Sequence, residues 1–187
     1  MNSPSKEQLI ELCKKYNKEE DQWNSLLEKQ LGSKIRTSKE MSKKDLIEVV
    51  KWKFATNPHR LKRELNLIGK INDKEIRQFS KLAFDTEDET LRIKHLMKIK
   101  GVGLAVASAI LTFYDPMKYG VFDIHIYDEL FNTTPKTRPK DISNNPELYI
   151  KLLEKLREIA NEHNLNVRIV EKALFKKNYD ESRNATR

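Results

Sequence analysis

Apolar residues recur at helical spacing along nearly the whole chain, and no stretch shows the strict alternation of a half-buried strand. Ser5 with Gln8 makes a capping-box start for a helix to about Asn17. A second helix is predicted from about Glu19 to Leu31, with Trp23, Leu26, Leu27 and Leu31 on one stripe and Gly32 as its stop. Residues 32–41 are polar and read as a linker. Ser42 caps a third helix with Leu46, Ile47, Val50 and Phe54 inward, and Asn57-Pro58 starts a fourth. Asn72 starts a fifth, with Ile76, Phe79 and Ala83 inward. Asp85 or Thr86 starts a sixth, with Leu91, His95, Leu96 and Ile99 inward. The run from Val102 to Phe113 is too uniformly apolar for a surface helix and is expected to be the most buried one. A short helix is expected over Ile124–Phe131, then a long loop over 132–145. Asn145-Pro146 starts an amphipathic helix to about His163, and a last helix covers about Asn166 to Tyr179, leaving 180–187 as a frayed tail. The expected fold is all-α.

Composition fits this pattern. Five glycines and six prolines in 187 residues suit helices with short connections. No apolar run approaches the ~20 residues of a membrane span, and the first residues lack a signal-peptide apolar core. The expectation is an intracellular, cytoplasmic protein without a membrane partner. Cys13 is the only cysteine, which excludes an internal disulfide framework and a cysteine-based zinc or iron–sulfur site. His59, His95, His125 and His163 show no metal-ligand spacing.

The net charge is +8, and its placement narrows the choice of partner. Residues 51–100 hold thirteen cations against seven acids, whereas residues 101–150 are net acidic. Lys51, Lys53, Arg60, Lys62 and Arg63 form a run without an acid, as do Arg92, Lys94, Lys98 and Lys100. A third cluster is Lys136, Arg138 and Lys140 in the 132–145 loop. Taken alone, such runs fit a solvated face as well as they fit a polyanion partner.

The second run leads directly into the most informative segment, Leu96 to Leu130, LMKIKGVGLAVASAILTFYDPMKYGVFDIHIYDEL, and there the polyanion becomes favoured. Two helices meet at Gly101-Val102-Gly103, where the glycines permit a sharp turn and remove side chains from the path of a ligand. Val102 can plug the apolar seam. The amides that open the second helix point outward with the positive end of its dipole behind them, which makes an anion site from backbone. Lys98 and Lys100 flank it, so phosphate is the natural occupant. Asp123 comes 20 residues after Gly103, within Val-Phe-Asp-Ile-His-Ile.

This segment resembles the helix-hairpin-helix DNA glycosylase superfamily, which includes the endonuclease III, adenine glycosylase and 8-oxoguanine glycosylase types. It is also similar to a widespread kind of small prokaryotic protein with the same Gly-Val-Gly, Ala-Ser-Ala-Ile-Leu and Asp arrangement. The resemblance covers residues 96–130 closely, with the hairpin at about 91–113. It implies a two-lobed helical fold, one lobe at 41–119 and the other combining 1–40 with 120–187, with Asp123 at their junction. It implies a base-excision-repair protein, a monomer on double-stranded DNA, holding the phosphate backbone through Gly101, Val102, Gly103, Ala105, Lys98 and Lys100. Asp123 would be the carboxylate that stabilises an oxocarbenium-like transition state. A monovalent cation would sit on the carbonyls of Ile99, Gly101 and Gly103. Bifunctional members carry a lysine where this chain has Ala105, so the resemblance points to a monofunctional hydrolase without lyase activity. Lys98 or Lys100 could in principle substitute as the amine. The four-cysteine iron–sulfur motif of some members is absent.

Each candidate also has a plainer reading. Asp123 can be a helix N-cap with or without a catalytic role. His125, Tyr119 and Tyr127 either line a substrate pocket or pack. Trp52 either stacks on a ligand or belongs to the core, and Asp128 and Glu129 are solvated or paired. For the whole chain, the alternatives to a glycosylase are a non-catalytic DNA-binding module and, further off, a helical protein–protein adaptor.

Overall fold

The computed structural model describes residues 4–19 and 22–185. Among these the chain forms ten helices and no strand: α1 (Lys6–Glu19), α2 (Gln22–Ser38), α3 (Lys43–Lys53), α4 (Pro58–Gly69), α5 (Asp73–Asp85), α6 (Glu89–Met97), α7 (Leu104–Tyr114), α8 (Ile124–Phe131), α9 (Pro146–His163) and α10 (Val167–Ala185). None of the described helices is long and apolar enough to cross a membrane.

The starts obey the local capping chemistry. Ser42 and Asp45 close a reciprocal capping box on α3. Asn57, Asn72, Asp123 and Asn145 each accept a hydrogen bond from an amide of the first turn of their helix. The sixth helix starts later than its sequence suggests, because Asp88 rather than Asp85 or Thr86 caps it. Its inward residues are Ile93 and Leu96, whereas Leu91 is 46% exposed. Leu26 of α2 is likewise 51% exposed, off the expected stripe, and Trp23 lies outside the residues whose side chains are described.

The larger correction concerns Gly32. It does not stop a helix: α2 runs through it to Ser38, and the expected linker is largely helical. The glycine serves contact. A Cβ there would lie 2.2 Å from the carbonyl oxygen of Phe113 at the end of α7. Four residues on, Arg36 donates to the carbonyls of Phe113 and Tyr114, satisfying acceptors left open at a helix end.

The uniformly apolar α7 is the central element, buried at Leu104 and at every residue from Val106 through Phe113. Helices α2, α3 and α6 pack around it, and α10 packs on α1, α8 and α9. One apolar cluster runs from Leu31 to Leu174 and includes residues on both sides of residue 119. A satellite of Leu9, Cys13 and Ala173 fastens α1 to α10. Helix α10 continues six residues beyond the expected end at Tyr179.

Polar clamps tie the segment after α7 to the helices around it. Arg157 of α9 grips Glu89 through two bonds of 2.8 and 2.7 Å and also donates to the carbonyl of Lys118. Arg157 holds the Glu89 carboxyl below its ordinary 4.5. A carboxyl with a depressed folded-state pKa stabilises above its unfolded value and loses that contribution as pH falls through the folded value. Stability is therefore expected to decline below pH 4.5 in part through this pair. Glu89→Gln should flatten that part of a urea-midpoint profile, at a cost of about 1 kcal/mol at neutral pH because both groups are partly solvated.

Candidate nucleic-acid interface

The turn between α6 and α7 is built by short hydrogen bonds. Lys98 N donates to His95 O, Ile99 N to Leu96 O, and Val102 N to Ile99 O at 2.9 Å. Gly101 has φ +81°, a left-handed conformation that glycine adopts without strain. A Cβ there would also sit 3.0 Å from Leu67 Cβ, so the residue lets the turn lie against α4. Val102 is buried beneath it at 4% exposure. Gly103 opens α7, and a Cβ on it would meet nothing within 4 Å, so its outer face is open. Its carbonyl accepts from Val106 N and Ala107 N, while no acceptor is found among the described residues for the amides of Leu104 and Ala105.

That open face forms one wall of a cavity of about 850 Å³. The turn contributes Ile99 through Val106, and the start of α8 contributes Asp123, Ile124 and His125. Helix α4 and the segment before it contribute Asn57, Arg60, Arg63 and Glu64. The end of α3 adds Lys53 and Phe54, and α10 adds Phe175, Asn178 and Tyr179. The cavity's charged lining is Lys53, Arg60, Arg63 and Lys100 against Glu64 and Asp123. Buried Glu64 anchors Arg63 at 2.5 Å and approaches Arg60 at 4.0 Å, fixing two cations at the rim. Arg60 also lies 4.5 Å over the Phe54 ring.

Asp123 is half-buried at the N-terminus of α8, and its Oδ1 accepts from His125 N at 2.9 Å. Asp123 therefore caps the helix and faces the cavity. His125 is exposed and lines the same space. Of the other predicted residues, Gly101, Val102, Gly103, Ala105 and Lys100 all reach the cavity, whereas Lys98 is outside its lining.

Tyr119 and Tyr127 are not brought into the cavity lining. Tyr119 is buried, and its hydroxyl accepts from Arg92 at 2.6 Å. Burial first, and then the charge of Glu89, push its pKa up to about 12. Tyr127 is buried against Phe131, with ring centroids 4.5 Å apart. Trp52 packs edge-on against Phe113 at 5.0 Å, with the Arg168 guanidinium 5.4 Å from its ring.

The basic runs divide by environment. Arg92 bonds the carbonyls of Ala83 and Thr86 besides Tyr119, and Lys94 pairs with Glu147. Lys51 pairs with Glu48, and Arg138 with Asp128. Each of these cations is engaged by a neighbouring group of the protein. Glu129 is paired as well, with Lys177. Of the carbonyls expected to bind a monovalent cation, Gly103 O accepts two amides, Ile99 O accepts one, and Gly101 O has no donor among the described residues. No cluster of three metal-ligating side chains occurs among the described residues.

Sequence reading missed the contribution of α10. Phe175 and Tyr179 stack with centroids 6.2 Å apart, and both face the cavity beside Asn178. Their i, i+4 spacing was the available signal, since that spacing puts two rings on one helix face. Comparisons with protein-family models, with curated proteins and with solved structures give no match for this chain. The fold and site define a helical protein with a basic, carboxylate-bearing cavity.

Proposed function

We propose that the chain binds double-stranded DNA and hydrolyses the bond between a damaged or mismatched base and its deoxyribose. One observation carries this reading: Asp123 opens onto the same cavity as the Gly101–Ala105 turn, Lys100, Arg60 and Arg63. The cavity's volume is in the range that takes a small molecule or one extruded nucleotide. The turn amides and the three rim cations hold phosphates and set the register of the strand. The Phe175–Tyr179 pair offers a face on which an extruded base can stack. Asp123 then stands beside the sugar, where its charge stabilises the developing oxocarbenium and its oxygen orients the attacking water.

The test is base release from duplexes carrying uracil, 8-oxoguanine, alkylated purines, hypoxanthine or common mismatches, with alkali added afterwards to reveal abasic sites. Release from at least one duplex is expected, with strand breaks that require alkali. Salt-sensitive binding with release from none would leave a non-catalytic DNA-binding protein. Absence of both would remove DNA altogether. Three rim cations predict that log affinity falls against log salt with a slope of roughly −3. Charge-removing substitution at Arg60, Arg63 or Lys100 should reduce that slope by about one each.

A further inference from the structure

The cavity takes up one edge of α4 and leaves the rest of the helix to solvent. Arg60 and Glu64 line the cavity, while Leu61, Leu65 and Ile68 pack into the core. Between these edges lie His59, Lys62, Arg63, Asn66 and Lys70, all exposed. Steps of three and four residues put His59, Arg63, Asn66 and Lys70 in one row along the helix, with Lys62 beside it. Lys70 caps α4 in a helical conformation, so the row continues to the end. Arg63 belongs to both surfaces, since it also lines the cavity.

The charges of this face have one sign. The single acid of α4, Glu64, is 6% exposed and is engaged with Arg63 and Arg60. The side chains of Lys62 and Lys70 make no hydrogen bond or ion pair among the described residues. By contrast, Lys34 of α2 meets Asp45, Arg77 of α5 meets Asp73 and Glu40, and Lys155 of α9 meets Glu158. A fixed row of unanswered cations is complementary to a polyanion. The exposed large apolar residues are Leu26, Leu82, Leu91, Met117 and Tyr179, none of them on α4. The face therefore gives a membrane nothing to take up and a protein partner no apolar anchor.

At about 1.5 Å per residue the row from His59 to Lys70 is about 17 Å long, which is the rise of about five base pairs. A straight helix holds its cations at set intervals, as a duplex holds its phosphates, whereas a single strand must first be ordered to match. We propose that the outer face of α4 is a docking surface for the phosphate backbone of duplex DNA and carries the interface beyond the cavity. Lys62 and Lys70 supply its free charges, and the Asn66 amide donates between them. The surface rests on the DNA-binding part of the proposed function and not on base hydrolysis. It contacts backbone alone, so it holds undamaged and damaged duplex equally.

The test is anisotropy of a fluorescent duplex without a lesion, titrated with the full chain across a series of potassium chloride concentrations. Wild type is compared with Lys62→Gln/Lys70→Gln, with Asn66→Asp, and with Lys14→Gln/Lys18→Gln. The last removes the same charge from exposed positions on α1. Circular dichroism confirms the fold of each. Lys62 and Lys70 steepen the salt slope set by the rim cations, so their loss should lower it by about two and weaken binding at least about tenfold at about 0.1 M salt. Asn66→Asp should also weaken binding while keeping the helix, because the new carboxylate pairs with Lys62 and Lys70 four residues away on either side. The α1 variant should bind as wild type does.

Duplex binding with the same slope in Lys62→Gln/Lys70→Gln as in wild type overturns the docking surface and leaves the proposed function standing. An equal loss in the α1 variant also overturns it, since net charge alone then explains the effect. Tighter binding of single-stranded DNA or RNA than of duplex overturns the duplex as occupant. Binding only to phosphatidylserine vesicles, lost in Lys62→Gln/Lys70→Gln, overturns the docking surface and the DNA function together. The expected slope loss with no base release from any duplex supports the docking surface and removes the hydrolysis.

Discussion

Asp123→Asn is expected to lower base release by about a hundred- to ten-thousand-fold, the span of effects seen when a positioned catalytic group is lost. Duplex binding and the thermal midpoint should stay where they are. The reason lies in the two roles that the proposed function gives Asp123. As N-cap of α8 it needs only an oxygen that accepts from His125 N at 2.9 Å, and asparagine caps as well as aspartate does. Beside a sugar that becomes cationic it needs charge, which asparagine lacks. The substitution therefore removes one role and spares the other. Asp123→Ala removes both, and should add a loss of about 1 kcal/mol of stability to the same loss of turnover. Single-turnover rates on the best duplex, with melting curves for the three proteins, separate the two contributions. Undiminished release by Asp123→Asn would leave Asp123 a capping residue only and place the chemistry elsewhere in the cavity.

How much of the fold and site is legible in the sequence depends on which interactions are local. Caps are local: Ser42, Asn57, Asn72, Asp123 and Asn145 announce helices by bonds that span two or three residues. The buried α7 is equally plain, since an uninterrupted apolar run has nowhere else to go. The cavity is half legible. Its turn and Asp123 lie within one continuous segment, whereas Lys53, Arg60 and Phe175 arrive from helices distant in sequence. Nothing in the spacing of Lys51 and Lys53 tells which is solvated and which lines a cavity, because that depends on what α4 and α10 place opposite them. The same limit explains Leu91, which the periodicity put inward. Arg92 instead takes the position facing α5, its guanidinium bonded to Ala83 O, and the stripe rotates to Ile93 and Leu96.

Gly32 shows the limit most sharply and yields the largest expected change in stability. In a solvated helix, glycine to alanine is stabilising by about 1 kcal/mol, because the backbone loses freedom in the unfolded chain. At Gly32 the sign should reverse. The new methyl would stand 2.2 Å from the backbone oxygen of Phe113, an atom that no rotamer change can move aside. Helix α2 must shift away from α7, and Arg36 must stretch or release its bonds of 3.1 and 2.9 Å to the Phe113 and Tyr114 carbonyls. Overpacking of a close contact and the loss of charged hydrogen bonds together imply about 3 kcal/mol. For a chain of this size that corresponds to a melting point lower by roughly 6–12 °C. Arg36→Ala alone should cost about 1–2 kcal/mol, and it should add little to Gly32→Ala, because the methyl has already displaced the guanidinium. A melting point raised by Gly32→Ala would mean that α2 does not touch α7 at this residue. The cavity sits at the other end of α7, so the surviving folded fraction should bind duplex normally. A sequence rule that reads glycine after a helical stripe as a stop is sound on average. It fails here because the residue is small for the sake of a helix end 81 positions further on.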